Sequence, residues 1–213
     1  MNLMNANAGC RALAFVDGPL IVSFVGRLAP SRQRDYVRLM EELLACSEET
    51  RIPVIGYTDS SYASDLVALI GHVSRRETPI RMSDAALIDA GMQWGDRLRC
   101  YLCSRDDGIP NTDYYERVAF TYLKTTTDHP PSRLELPAWI LQENQQDWVL
   151  DVVRAECVVG IGYPYPLETA DALAVLATPD REQFYQLFQQ FAQREKLPLR
   201  FSRKSISKRH RRL

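Results

Sequence analysis

Residues 14–26 read AFVDGPLIVSFVG. The run is apolar except for one carboxylate, Asp17, and its reading decides how the chain starts its sheet. Asp-Gly between two apolar runs is a strong signal for a two-residue hairpin. Pro19 spoils the tight version, because a Val16-to-Pro19 turn needs a closing N–H that proline lacks. Gly18 is also pushed towards extended geometry by the proline behind it. Two readings stay open: a looser structural turn, or a functional carboxylate at a strand end. A buried, unpaired carboxylate is costly, so Asp17 calls for a partner, a metal ion or a water-filled cleft.

Working outward, 12–16 and 20–25 read as two strands or one kinked strand. SRQRDYVRLMEELLACSEE then reads as a helix, with Tyr36, Val37, Met40, Leu43 and Leu44 on its apolar face and Ser31 as cap. IPVIGY at 52–57 is a short buried strand. SSYASDLVALIGHV is a second helix, capped by Ser60 or Ser61, with Leu66, Leu69, Ile70 and Val73 inward. Strand, helix, strand, helix predicts a parallel strand pair joined by a crossover. SDAALIDAGM at 83–92 reads as a short helix. RLRCYLC and ERVAFTYLKT read as antiparallel strands across the polar loop SRDDGIPNTDYY, and SRLELP at 132–137 as another strand. Helices over about 144–158, 167–177 and 180–195 close the chain, with Pro166 in a first turn and Thr178 or Asp180 as the last cap. The layout is α/β around one mixed sheet.

The 213 residues, 46% hydrophobic and 25% charged, are enough for one sizeable core. No apolar run approaches the roughly 20 residues of a membrane span. The opening MNLMNANAGCRA has no basic start and long apolar core of a secretory signal. Five cysteines fit a reducing, cytoplasmic compartment better than a disulfide framework. Net charge is −1, but residues 194–213 hold nine Lys or Arg and one Glu. An acidic body with a basic tail points to a polyanionic partner; the plainer reading is a solvated terminus.

Cys100 and Cys103 form a C-x-x-C without a second pair at zinc spacing. In a strand, residues three apart face opposite sides, so packed cysteines are the better reading. His72, His129 and His210 are scattered, and P-loop, dinucleotide and G-x-S-x-G motifs are missing. Carboxylates remain. Asp17, Asp59 after strand 52–57, and Glu135 in LEL would suit Mg²⁺ or Mn²⁺ if they met at the C-terminal ends of strands. The plainer readings are a helix cap for Asp59 and an ion pair with Arg133 for Glu135. In GIGYPYPLETAD, 160–171, two glycines loosen the backbone before two prolines stiffen it. Tyr163 and Tyr165 there suit a base or a phosphate, or the segment is a rigid lead into a packed helix with Leu167 inward.

DGPL at 17–20, GYTDS at 56–60, RLELP at 133–137 and GYPYPLETAD at 162–171 follow the order of NurA-type nucleases, which the chain resembles from about residue 12 to 190. The resemblance implies a ribonuclease-H-like mixed sheet flanked by helices over residues 1–195, with 196–213 as a basic tail. It also implies a dimer that uses Mn²⁺ or Mg²⁺ to degrade DNA ends in double-strand-break repair, beside a HerA-type hexameric helicase or translocase. Carried over by position, Asp17 is a metal-binding catalytic aspartate and Tyr163 a catalytic tyrosine near the scissile phosphate. Tyr57 falls where the family can carry another active-site tyrosine. Asp171 stands where the family commonly has histidine, as an outer metal ligand or water-orienting group. Arg203, Lys204, Lys208, Arg209, Arg211 and Arg212 would track DNA backbone. The family places an earlier aspartate, in a DGS-like motif, and a glutamate before DGPL, and the 16 residues preceding Asp17 contain neither. This implies a shortened homologue, a fragment, or one subunit of a split enzyme. It also leaves two readings of activity: a metal-dependent nuclease, or an inactive NurA-like module that binds DNA or the ATPase.

Overall fold

A computed structural model of the chain describes residues 1–21, 28–75, 81–104, 113–175 and 178–195. These fall into two compact units, 1–170 and 171–213. The first carries a five-stranded sheet, ordered β1-β2-β5-β4-β3. Its strands are β1 (Ala14–Asp17), β2 (Val54–Thr58), β3 (Tyr101–Leu102), β4 (Val118–Leu123) and β5 (Ser132–Pro137). β1 and β2 run parallel, with Asp17 opposite Tyr57. β5 is antiparallel to β2 and β4, and β3 to β4, so the sheet is mixed, as the sequence predicts.

Strand periodicity splits the core into two faces. One gathers Val118, Phe120 and Tyr122 of β4 with Leu20, Ile21 and the helix residues Val37, Leu44 and Leu66. The other gathers Ile55 and Tyr57 of β2 and Leu134 and Leu136 of β5 with Val149, Leu150, Val153 and Cys157 of the helix Gln146–Val159. Because both faces are covered, all six residues of β4 and of β5 are buried. Cys103 packs into the first cluster and Cys100 against the second, on opposite sides as the three-residue spacing predicts.

Helices α1 (Asn2–Ala6) and α2 (Pro30–Thr50) open the chain. α2 starts one residue before the predicted cap: Ala29 is the N-cap and Pro30 the first helical residue, where its missing N–H costs nothing. Val37 and Leu44 are buried, whereas Tyr36 is exposed. α3 (Asp65–Val73) departs further from expectation. Its N-cap is Ser64, with no side-chain cap bond, rather than Ser60 or Ser61. Its first N–H groups go instead to Asp84, which accepts from Leu66 N at 3.1 Å and Val67 N at 2.9 Å. That anchor turns Leu66 and Val67 inward and leaves Leu69, Ile70 and Val73 exposed.

α4 (Asp84–Ile88), capped by Ser83, runs into a 3-10 turn, Asp89–Gly91. α5 (Trp139–Gln142), α6 (Gln146–Val159), α7 (Tyr165–Leu173) and α8 (Thr178–Arg194) follow. In the second unit, Phe184 and Phe188 stack along α8, with ring centroids 6.4 Å apart. Of the predicted strand 20–25, Leu20 and Ile21 form a bend; the rest, and residues 105–112 of the polar loop, lie outside the described residues.

Candidate active site

Parallel pairing brings the C-terminal ends of β1 and β2 to the same edge of the sheet. Asp17, the last residue of β1, is exposed there. Among the described residues no hydrogen-bonded hairpin follows it. Gly18 leaves the strand at φ +129°, a region that favours glycine, and donates its N–H to Tyr57 O at 2.9 Å. The chain then crosses β2 at Gly56, where a β-carbon would lie 2.9 Å from both Gly18 O and Leu20 N. This strap is pinned at its far end too. Tyr114 donates its hydroxyl to Leu20 O, and Ile21 N donates to Glu135 Oε2 at 2.7 Å.

Glu135 is therefore a structural carboxylate. It is 2% exposed, pairs through Oε1 with Arg133 Nε at 2.7 Å, and faces the strap rather than the strand ends. Arg133 also meets Asp65 at 2.8 Å and lies over the Phe120 ring at 4.2 Å. A buried charge is tolerated when paired and hydrogen-bonded in this way. Asp59 is not a helix cap; its carboxylate accepts from Ser132 Oγ at 3.3 Å.

The second half of the site comes from the turn after α6. Gly162 N donates to Cys157 O at 2.7 Å and Ile161 N to Val158 O at 3.4 Å, the two bonds of a Schellman ending. The left-handed position of that ending usually holds glycine. Here it holds Ile161, at φ +54° and 94% exposed. Gly160 and Gly162 are required on each side: a β-carbon at 160 would lie 2.0 Å from Tyr163 O, and one at 162 would lie 2.4 Å from Thr126 Cγ2. The turn delivers Tyr163 to the sheet. Its hydroxyl donates to Asp17 Oδ1 at 3.0 Å. Its ring meets that of Tyr57 edge-on, at 5.2 Å and 87°. Asp17, Tyr57 and Tyr163 thus share one face and one end of the sheet.

Tyr57 is buried, with its hydroxyl 2.9 Å from Ser132 Oγ and donating to Gly162 O at 3.4 Å. Burial, reinforced by the nearby Cys157 thiol, holds its phenol above the ordinary value. The Cys157 thiol is itself pushed up to about 12 by burial. Both groups stay neutral in the physiological range.

A family model for the NurA domain matches residues 3–176. The chain belongs to the NurA domain family. No curated protein matches the sequence. Among solved structures, the NurA nuclease from Sulfolobus solfataricus is similar over 90% of this chain and 58% of its own, at 14% identity and a TM-score of 0.43. The chain thus spans little more than half the length of that nuclease.

Within this NurA domain, β1 and the α6–α7 turn bring together Asp17 of the DGPL motif and Tyr163 of GYPYPL. Asp171 lies on α7 as the first residue of the second compact unit. Arg203, Lys204, Lys208, Arg209, Arg211 and Arg212 lie outside the described residues. Among the described residues no three His, Cys, Asp or Glu gather to hold a metal ion, and no helix is long and apolar enough to cross a membrane. Sequence reasoning missed Gly56 and Glu135 as the supports of the DGPL strap. The alternation in β5 carries a partial signal, since it puts Arg133 and Glu135 on one face. Nothing local marks Gly56 as a crossing point.

Proposed function

We propose that this NurA domain hydrolyses DNA phosphodiester bonds in the processing of DNA ends during double-strand-break repair. It does so with Mn²⁺ or Mg²⁺, as a homodimer and beside a HerA-type ATPase. Family membership supports the reaction class. The observation that carries the reading is the 3.0 Å hydrogen bond from Tyr163 to Asp17 at an open strand end. A carboxylate that merely closed a bend would spend its oxygens on nearby amides. Asp17 Oδ1 instead takes a phenol delivered from 146 residues away.

The donor set fits a divalent ion shared with substrate rather than one caged by protein. Mg²⁺ is commonly held by one or two carboxylates plus substrate phosphate oxygens, and exposed Asp17 supplies one hard oxygen donor of that kind. Such an ion, when bound, stabilises phosphoryl charge and lowers the pKa of a bound water. Tyr163 orients the Asp17 carboxylate and, as a neutral donor, is placed to pass its hydrogen bond to a phosphate oxygen as the strand arrives. The Tyr57 hydroxyl is engaged with Ser132 and Gly162 instead. Tyr57 is a positioning residue whose ring fixes that of Tyr163, an edge-on pair worth roughly 0.5–1.5 kcal/mol. Asp171 is assigned as an outer, water-orienting carboxylate from its place in the motif, and the basic tail as a tracker of DNA backbone from its charge.

A second reading has a specific observation in its favour. Asp171 stands where the family commonly has histidine, and a carboxylate there cannot act as a neutral imidazole, which suits a domain that binds DNA or the ATPase without cutting. Incubation of the purified chain with 5′-labelled linear DNA separates the two. Cutting that needs Mn²⁺ or Mg²⁺ and stops in EDTA supports hydrolysis. DNA binding with no cutting at any metal concentration supports the second reading.

A further inference from the structure

Beside Tyr163 lies a groove of about 600 Å³ that this mechanism does not use. Its lining includes Trp94, Thr126, Ile161, Asp59 and His129. Trp94 is rigidly placed. The neighbouring Gly95 N donates to Lys124 O at 2.8 Å, and the indole Nε1 donates to Thr125 O at 3.0 Å. With its one polar atom engaged and half its surface exposed, what Trp94 offers a ligand is ring. The loop that accepts these bonds is tied down as well: Lys124 Nζ donates to His129 O at 2.7 Å and pairs with Asp89.

We propose that this groove is a nucleobase subsite, which holds an unpaired base of the strand whose phosphate lies at Asp17 and Tyr163. The inference rests on the reading of the domain as one that acts on DNA. Charge decides which part of a nucleotide belongs here. The groove contains two carboxylates, Asp59 and Asp128, and His129 pairs with the second at 3.2 Å, so a phosphate is poorly received. A base carries no charge, its exocyclic amines donate to carboxylates, and its ring stacks on an indole. Threonine hydroxyls add uncharged donors and acceptors for base edges. Ile161, exposed and held in the left-handed region at the rim, is an apolar side chain of the kind that wedges between stacked bases.

The test compares fluorescein-labelled dC12 with a fully abasic 12-mer carrying the same phosphates, by anisotropy in EDTA. The wild type should bind dC12 roughly tenfold more tightly than the abasic strand. Trp94→Ala should erase that preference and leave abasic binding unchanged, while Trp94→Phe should keep most of it. Equal preference in wild type and Trp94→Ala, or none in the wild type, overturns the subsite. The outcome is separable from that of the nuclease reading. Metal-dependent cutting with no Trp94-dependent preference sinks the subsite alone. Trp94-dependent preference with no cutting sinks hydrolysis alone.

Discussion

Gly56→Ala tests the strap that aims Asp17. Gly56 sits inside β2 in a conformation open to any residue, so alanine there carries no backbone penalty. In an unobstructed strand the change stabilises by about 0.4–1 kcal/mol, because the unfolded chain has fewer states to lose. Here the added β-carbon meets Gly18 O and Leu20 N at 2.9 Å and Leu20 Cγ at 3.0 Å. Two of these three atoms are backbone. Reaching ordinary contact needs the strap to rise by about half an ångström. It cannot rise freely, because Gly18 N is held on Tyr57 O and Ile21 N on Glu135. Overpacking of this kind costs about 1–3 kcal/mol, which outweighs the entropic gain. A net loss of about 1–2 kcal/mol lowers Tm by about 2–8 °C in a chain of this size. The displaced strap also carries Asp17 away from Tyr163, and cutting should fall roughly tenfold. Thermal unfolding and the DNA-cleavage rate are the assays. An unchanged or raised Tm in Gly56→Ala would refute the tight crossing and the pinned strap together.

Ile161→Gly should raise stability by about 0.5–1 kcal/mol, read as a higher urea midpoint at unchanged slope. Relief of about 1–2 kcal/mol of left-handed strain outweighs the roughly 0.4–1 kcal/mol that the freer unfolded chain takes back, and Ile161 buries almost nothing that glycine would forfeit. Above pH 9 the folded domain should lose stability. The Cys157 thiol ionises near 9.0 when unfolded and near 12 when folded, so between these values the unfolded chain has released a proton that the folded chain keeps. This contribution is full below pH 9 and falls as pH rises, by at most about 1.4 kcal/mol per pH unit. Denaturant melts of wild type and Cys157→Ala from pH 8 to 11 check it, with a shallower decline expected in the variant. Glu135→Gln should lower stability by about 1–3 kcal/mol, since it removes one of the buried charge partners of Arg133 while Asp65 remains; equilibrium unfolding reads it directly.

The sheet was the most legible part of the sequence. SRLELP became β5 without adjustment, and the strands read at 12–16 and 52–57 paired in parallel with their ends moved by one or two residues, whereas RLRCYLC kept only Tyr101–Leu102 as strand. Helix faces were less legible where a distant side chain sets the first turn. Asp84 caps α3 from 18 residues away, so the local serines misled, and of the stripe read as Leu66, Leu69, Ile70 and Val73 only Leu66 is buried. Asp59 misled for the same reason, since its partner Ser132 lies on another strand. At the site, Asp17 was conspicuous as a lone acid in an apolar run, and Tyr163 stood out among prolines. Their contact was beyond local pattern, because it depends on a parallel strand pair and a helix ending that meet only in the folded chain. Gly56 was the least visible of all. A glycine needed for a crossing looks like any other strand glycine until the crossing segment is in place.

The central claim is that Asp17 and Tyr163 act as one unit on a DNA phosphate. Cleavage of 5′-labelled linear DNA in Mn²⁺ by wild type, Asp17→Asn, Tyr163→Phe and the double variant measures it most directly, with thermal unfolding of each variant as the check on folding. The account predicts that each single change lowers the rate by roughly 100-fold or more and that the double variant falls little further. Independent, multiplying losses, or wild-type cutting by Asp17→Asn, would contradict it.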